Sequence, residues 1–311
     1  MPRTQRTGSV SNRIGIAAAV LLLAAGCNSM GLFHPKDNGT VGPIPSEKPT
    51  TIDLVRYLNR NADKVQVLEC SEVTLDGKQN GDAAPTIYGE MVCQKPRNFR
   101  LQAKFVSNPA VDIGSNDEEF WYWIGKADPH LFHVSYKDLP KVKDMPFPFQ
   151  PDWVVESLGM GNYDETKEYR LGGTDTEWLL EESATSPQGQ PVKKVTVFNK
   201  GGARGGKPQV TAHRLYDSKN NLICSATILE VQQDPVTQAV VPRKVVLSWP
   251  AQKMELKMTI GEVKVAKDID PRRAEELFSR KRLGNLPTYD LARGAEMPTG
   301  IQRAGGFQRN R

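Results

Sequence analysis

The chain has few of the residues on which catalysis and metal binding usually depend. It contains 4 histidines and 4 cysteines in 311 residues. His130 and His133 are three residues apart, and on a strand that spacing puts their rings on opposite faces. No cysteine pair has the spacing of a metal site, and the sequence has no nucleophile elbow, P-loop, dinucleotide fingerprint or zinc-protease motif. We therefore predict a protein that is not an enzyme and has no catalytic residue, metal or cofactor.

The chain also lacks an apolar run long enough to cross a membrane, for which a helix needs about 20 residues. The run from Ile14 to Ala25 has 12, follows three arginines without an acidic residue, and ends in small residues before Cys27. That order is typical of an export signal and resembles the bacterial lipobox, in which the cysteine is acylated. The sequence predicts a lipoprotein signal peptide at 1–26 and lipidation at Cys27, or else an ordinary cleaved signal with an incidental cysteine.

A strong net charge is missing as well. The whole chain carries +5, and loss of residues 1–26 with their three arginines leaves +2. A nearly neutral protein does not favour nucleic acid as a partner. The predicted partner is instead the membrane, through the N-terminal lipid.

Cysteines are too few for a disulfide framework. Beyond Cys27 there are Cys70, Cys93 and Cys224, which allow one disulfide at most. Cys70 and Cys93 lie on consecutive predicted strands, where an oxidising envelope permits a bond. Buried free thiols are the alternative.

The remaining chain divides by its hydrophobic pattern. Residues 27–49 have no apolar period and predict a flexible tether. A helix follows, capped by Thr50 or Thr51, with apolar residues at three- and four-residue steps. Period-two strands then dominate, and two further helices are predicted at 151–159 and after the N-cap Asp270. Residues 281–311 are basic and rich in glycine and proline, which predicts a mostly disordered tail.

One strand segment is apolar on both faces. In EEFWYWIG (118–125), Phe120, Tyr122 and Ile124 share one face, whereas Trp121 and Trp123 share the other. Such a strand is either covered on both sides or lines an apolar cavity.

A nearby strand, NFRLQAKFV, alternates apolar residues with Arg100, Gln102 and Lys104, which the pattern places on a solvent face. The candidate cavity-lining residues are Phe99, Leu101, Phe105, Phe120, Trp121, Tyr122, Trp123 and Trp153.

The order of these segments resembles a known family. Lys95-Pro96, then Phe99-Arg100, then a turn and the aromatic strand with Trp121 and Trp123 are similar to the signature of the LolA/LolB superfamily of lipoprotein carriers and outer-membrane receptors. Residues 50–280 carry the resemblance, which is closest to the envelope lipoproteins of planctomycete-like bacteria.

The resemblance implies a mainly β (α+β) fold, in which a strongly curved antiparallel sheet forms an incomplete half-barrel with a few helices on its concave side. It also implies a membrane-anchored envelope lipoprotein facing the periplasm that binds or carries a lipid or a lipoprotein acyl chain. Asn28 after the lipidated cysteine favours the outer membrane over the inner. The alternative is a non-enzymatic scaffold lipoprotein of the same fold, with a filled core, acting through protein–protein contacts.

Overall fold

The computed structural model describes residues 48–125, 130–142, 150–201, 209–281, 283 and 285–293. The predicted signal peptide, Cys27, nearly all of the tether and the end of the tail lie outside these residues. Within them, no helix has the length and apolar character needed to cross a membrane.

The described residues form one sheet and three α-helices. The strands are β1 (Val67–Gln79), β2 (Asp82–Ala83), β3 (Ile87–Gln94), β4 (Asn98–Phe105), β5 (Asn108–Ser115), β6 (Glu119–Ile124), β7 (Leu131–Ser135), β8 (Tyr169–Gly173), β9 (Glu177–Thr185), β10 (Pro191–Asn199), β11 (Val210–Asp217), β12 (Leu222–Gln233), β13 (Val240–Trp249), β14 (Met254–Ile260), β15 (Val263–Ala266) and β16 (Thr288–Asp290). The helices are α1 (Thr51–Ala62), α2 (Pro151–Val155) and α3 (Pro271–Phe278), and α2 continues as a π-helical segment, Glu156–Met160.

The sheet is open and almost entirely antiparallel. Its strand order is β16-β7-β6-β5-β4-β3-β1-β14-β13-β12-β11-β10-β9-β8, with β2 and β15 paired to β1. Only β16 and β7 run parallel. The predicted fold class, mainly β with few helices, is confirmed.

The contacts of α2 show that the sheet is curved. Asp152 lies 3.4 Å from Arg97, in the turn between β3 and β4, and Glu156 lies 2.6 Å from Lys194 on β10. Strands β3 and β10 are six places apart in the sheet, about 29 Å if it were flat. Asp152 and Glu156 are only about 6 Å apart along their helix. The two halves of the sheet fold towards each other around α2, since side chains of β3–β7 and of β10–β14 share one core cluster with it.

Helix α1 begins as the sequence predicts, and of the two candidate caps Thr50 is the one used. Its hydroxyl accepts from the N–H of Asp53, whose carboxylate accepts from the N–H of Thr50, a complete capping box. The apolar face of α1 packs on Leu180 and Phe198 of strands β9 and β10.

Two elements differ from the expectation. Helix α3 does not join α1 and α2 on the core face: it is bound to the opposite face of the sheet, where Arg273 pairs with Glu69 at 2.6 Å. The tail predicted to be disordered from residue 281 contributes strand β16, because Tyr289 packs its ring on Phe132 and Leu291 is buried.

Candidate functional site

Five of the eight candidate cavity residues lie together in the main core. They pack in one cluster, as in Phe120 and Tyr122, whose ring centroids are 5.7 Å apart. Side chains fill the space around them, and all five are buried: Phe99, Leu101, Phe120, Tyr122 and Trp153. Their role as ligand-binding residues stays a prediction.

The other three candidates lie elsewhere. Phe105 is 37% exposed at the end of β4, and Trp123 is half-buried on the face of the sheet opposite the core. Trp121 points to that face too, yet is only 1% exposed. The burial of Trp121 fits the first of the two interpretations of strand 118–125, in which the strand is covered on both faces.

The cover over Trp121 is polar. The guanidinium of Arg100 lies 5.3 Å from the centre of its ring and donates to Asp112 Oδ2 at 2.6 Å and to the carbonyl of Ser279 at 3.0 Å. Asn116 donates to the carbonyl of Phe278 at 3.0 Å. These bonds hold the end of α3 across the strands. The prediction that Arg100 faces solvent is wrong, since it is only 4% exposed.

The three cysteines among the described residues, Cys70, Cys93 and Cys224, are free and buried. Cys70 and Cys93 lie on neighbouring strands but are not opposite each other, because Cys70 is paired with Met91 and Cys93 with Leu68. Burial raises the pKa of both thiols, which makes them poor nucleophiles.

A cavity lies between the sheet and the layer formed by α1 and the π-helical segment. Its volume is about 60 Å³. That space is several times what one water needs but less than the roughly 150 Å³ of a cavity that binds benzene. Most of its lining is apolar and comes from α1, from strands β11 to β13 and from Tyr163, which follows the π-helical segment: Tyr57, Leu58, Tyr163, Val210, Ile228, Val231, Val240, Val241 and Pro242.

A few polar side chains also face this cavity, among them Glu156 and His213. Burial lowers the pKa of His213 to about 4, so the ring is neutral near pH 7. Glu156 accepts from Lys194 Nζ at 2.6 Å. Burial opposes the charge of Lys194, but the Glu156 carboxylate outweighs it and the pKa is raised. The cavity wall therefore holds one ion pair and one neutral imidazole.

Paired amide bonds hold the helical layer above the cavity. The side chain of Asn61 donates to the carbonyl of Val240 at 2.7 Å and accepts from its N–H at 2.8 Å. Asn59 bonds both backbone groups of Tyr163 in the same way. α1 is thus fixed at its C-terminal end to β13 and to the segment after the π-helix.

An open cleft of about 500 Å³ lies beside the cavity, between the end of α1, the Lys95-Pro96 turn and the π-helical segment. Glu156 lines both the cleft and the cavity. Glu156, held by Lys194, therefore lies where the cavity and the cleft meet.

Sequence reasoning did not find this cavity. Its lining combines α1, the π-helical segment and strands β11–β13, which are distant from one another in sequence, and none of the eight candidates contributes to it. Within the described ranges, no three His, Cys, Asp or Glu residues are grouped closely enough to hold a metal ion.

The geometry defines a class of protein: an open, curved antiparallel sheet that encloses a helical layer. No protein-family model matches the chain, and no curated protein matches it. Among solved structures, the chain is similar to a DUF1329 family protein from Desulfovibrio piger, at 11% identity and a TM-score of 0.49, with 72% of this chain and 95% of that one covered.

A LolA superfamily protein from Nitrosomonas europaea is similar too, at 10% identity and a TM-score of 0.47, with 75% of this chain and 99% of that one covered. A protein of the superfamily that the sequence resembles is thus among the similar structures. Both similarities concern the fold alone and carry no argument about ligands.

Proposed function

We propose that this protein is a membrane-anchored envelope lipoprotein without a catalytic step. It binds a lipid or a lipoprotein acyl chain between its curved sheet and the layer formed by α1 and the π-helical segment. The observation that carries the proposal is the mostly apolar cavity beneath α1 and the π-helical segment. Ligand pockets typically combine such an apolar lining with a few placed polar groups.

The cavity has to grow to take an acyl chain, and its roof is the part suited to move. The helical layer is joined to the sheet side by apolar packing, as of α1 on Leu180 and Phe198, and by polar contacts that include the Asn61–Val240 bonds and the Glu156–Lys194 pair. Each CH₂ group that enters gains about 0.8 kcal/mol of burial. The gain from a long chain can offset the loss of these contacts.

A second function has its own support. The packing of Phe99, Leu101 and Phe120 in a filled core favours a scaffold lipoprotein that acts through its surface. In that case the small cavity is a packing defect and no lipid is bound.

Ligand binding is tested on the full-length protein purified in mild detergent. We expect native mass spectrometry to show a co-purifying lipid and a fluorescent fatty acid to bind. Ile228→Phe fills the cavity and should weaken probe binding about tenfold. Leu229→Phe is the matched control, because Leu229 is the next residue of β12 and is 45% exposed on the other face. Absence of both lipid and probe binding in the wild type would favour the scaffold function instead.

The anchor is tested separately. Cys27→Ser should release the protein from the membrane fraction into the periplasmic extract, and density-gradient separation of the wild type should place it with the outer membrane. A Cys27→Ser protein that stays in the membrane fraction after a carbonate wash would show that the lipid at Cys27 is not the anchor.

A further inference from the structure

The last strand of the sheet has an open edge. β8 pairs with β9 on one side, and in the described part of the chain no strand pairs with its other side. Edge strands are commonly protected by proline, bulges or extreme shortness. β8 has no proline, its register with β9 is unbroken over five residues, and Leu171 is 42% exposed. β16, at the opposite end, has only three residues.

The register shows which backbone groups point outward. The N–H of Thr174 donates to the carbonyl of Glu177 at 2.9 Å, closing the hairpin between β8 and β9. Because hydrogen-bonded and non-bonded pairs alternate in an antiparallel ladder, Gly172 and Arg170 face β9. Tyr169, Leu171 and Gly173 therefore direct their N–H and C=O groups to the free edge.

We propose that this edge is the contact between two copies of the chain, whose β8 strands pair antiparallel about a twofold axis at Leu171. Leu171 then faces Leu171 of the second copy, and Tyr169 faces Gly173 on either side. All three pairs use outward-pointing groups, and each exchanges two hydrogen bonds. Tyr169, whose ring packs on the α1 cluster and whose hydroxyl donates to the carbonyl of Asp164, then stands opposite a residue without a side chain, a pairing that suits an edge glycine.

The side chains are compatible with this pairing on both faces. Leu171 is opposite Leu180 on β9, so it lies on the face where Leu180 packs against α1. Contact between the two copies of Leu171 extends that apolar cluster across the axis. Arg170 lies on the other face, opposite Gly172 of the second copy. The two arginines are diagonal neighbours, and each has Glu181 beside it on β9.

Five residues a side make a small interface, below the size of a permanent complex. We therefore expect a reversible monomer–dimer equilibrium. A twofold contact between identical edges closes after two copies, so the assembly stops at a dimer.

Disulfide trapping of the full-length protein tests the pairing. Leu171→Cys places two thiols on a hydrogen-bonded pair with Cα atoms about 5.5 Å apart, within the range that a disulfide spans. We expect mild oxidation to give a covalent dimer. Leu229→Cys is the matched control, similarly exposed but on the central strand β12. Any background from Cys27 is common to both variants. Equal crosslinking of the two variants, or none at position 171, would overturn the proposal.

A second variant removes a hydrogen-bond donor from the free edge of β8 and leaves the hydrogen bonds between β8 and β9 in place. In Leu171→Pro the missing N–H is one that β9 does not use, so the fold is kept. Sedimentation velocity at increasing concentration should show dimer for the wild type and monomer only for Leu171→Pro, with unchanged circular dichroism. A folded Leu171→Pro protein that dimerises like the wild type would contradict the assignment.

Discussion

The indole of Trp121 lies directly against Gly114, its partner across strands β5 and β6. A Cβ atom at Gly114 would be 2.1 Å from Cζ2 of Trp121, far inside any real contact. Only glycine leaves the ring room to lie between the sheet and the guanidinium of Arg100. The cover that α3 forms over this face therefore depends on the absence of a side chain at Gly114.

Gly114→Ala should destabilise the protein by about 1–3 kcal/mol, because the added methyl group forces Trp121 off its rotamer or away from the sheet. The measurement is urea unfolding followed by tryptophan fluorescence. Gly77→Ala is the control, since the nearest atom to its built Cβ is 3.6 Å away, an ordinary contact. Equal losses in the two variants would rule out the steric explanation.

Arg100→Met should destabilise the protein by about 3–5 kcal/mol, because it leaves the buried carboxylate of Asp112 without its cation. The free energy of unfolding again provides the measure. Arg100→Met combined with Asp112→Leu removes both charges and should recover part of the loss. If the double variant is less stable than Arg100→Met alone, the Arg100–Asp112 pair stabilises the protein by more than the free-energy cost of leaving Asp112 unpaired.

Local patterns predicted much of the fold. The three- and four-residue spacing of Ile52, Val55, Leu58 and Ala62 predicted α1, and the alternation in KMELKMTI predicted β14. Both signals record which side of an element is buried, and that is a local property of the sequence.

Tertiary contacts decided the elements that the patterns missed. β5 has the sequence NPAVDIGS, with turn-forming residues throughout, and is a strand because Asp112 meets Arg100 and Gly114 meets Trp121. β8 ends in two glycines and is held by its pairing with β9. Arg100 and Asp112 carry opposite charges on neighbouring strands, but the period-two pattern placed Arg100 on a solvent face, so the buried pair was not predicted. No local signal links α1 to β11–β13, and so the cavity was not predictable.

His213 makes stability depend on pH below neutrality. Its pKa falls from 6.5 to about 4 on folding, because the buried ring resists protonation. The unfolded chain therefore binds the extra proton first, and stability that is complete above about pH 6.5 is lost as the pH falls towards 4. The loss reaches about 3 kcal/mol. Urea midpoints between pH 7 and 4 should fall less in His213→Gln than in the wild type. Parallel pH profiles would show that folding does not lower the pKa of His213.

The side chain of Asn61 joins α1 to β13 by bonding both backbone groups of Val240, as a residue of a neighbouring strand would. Asn61→Leu has a similar volume but leaves those two groups unpaired at the cavity wall, which should cost about 1–3 kcal/mol. Hydrogen exchange at the amide of Val240 should accelerate together with the amides of the last turn of α1, because the same bonds fix both. Lys64→Met is the control: its exposed bond to the carbonyl of Gln238 joins the same two regions at the surface, and its loss should change stability by no more than about 0.5 kcal/mol. If Lys64→Met loosens α1 as much as Asn61→Leu does, the helix is held at its exposed rim and not over the cavity.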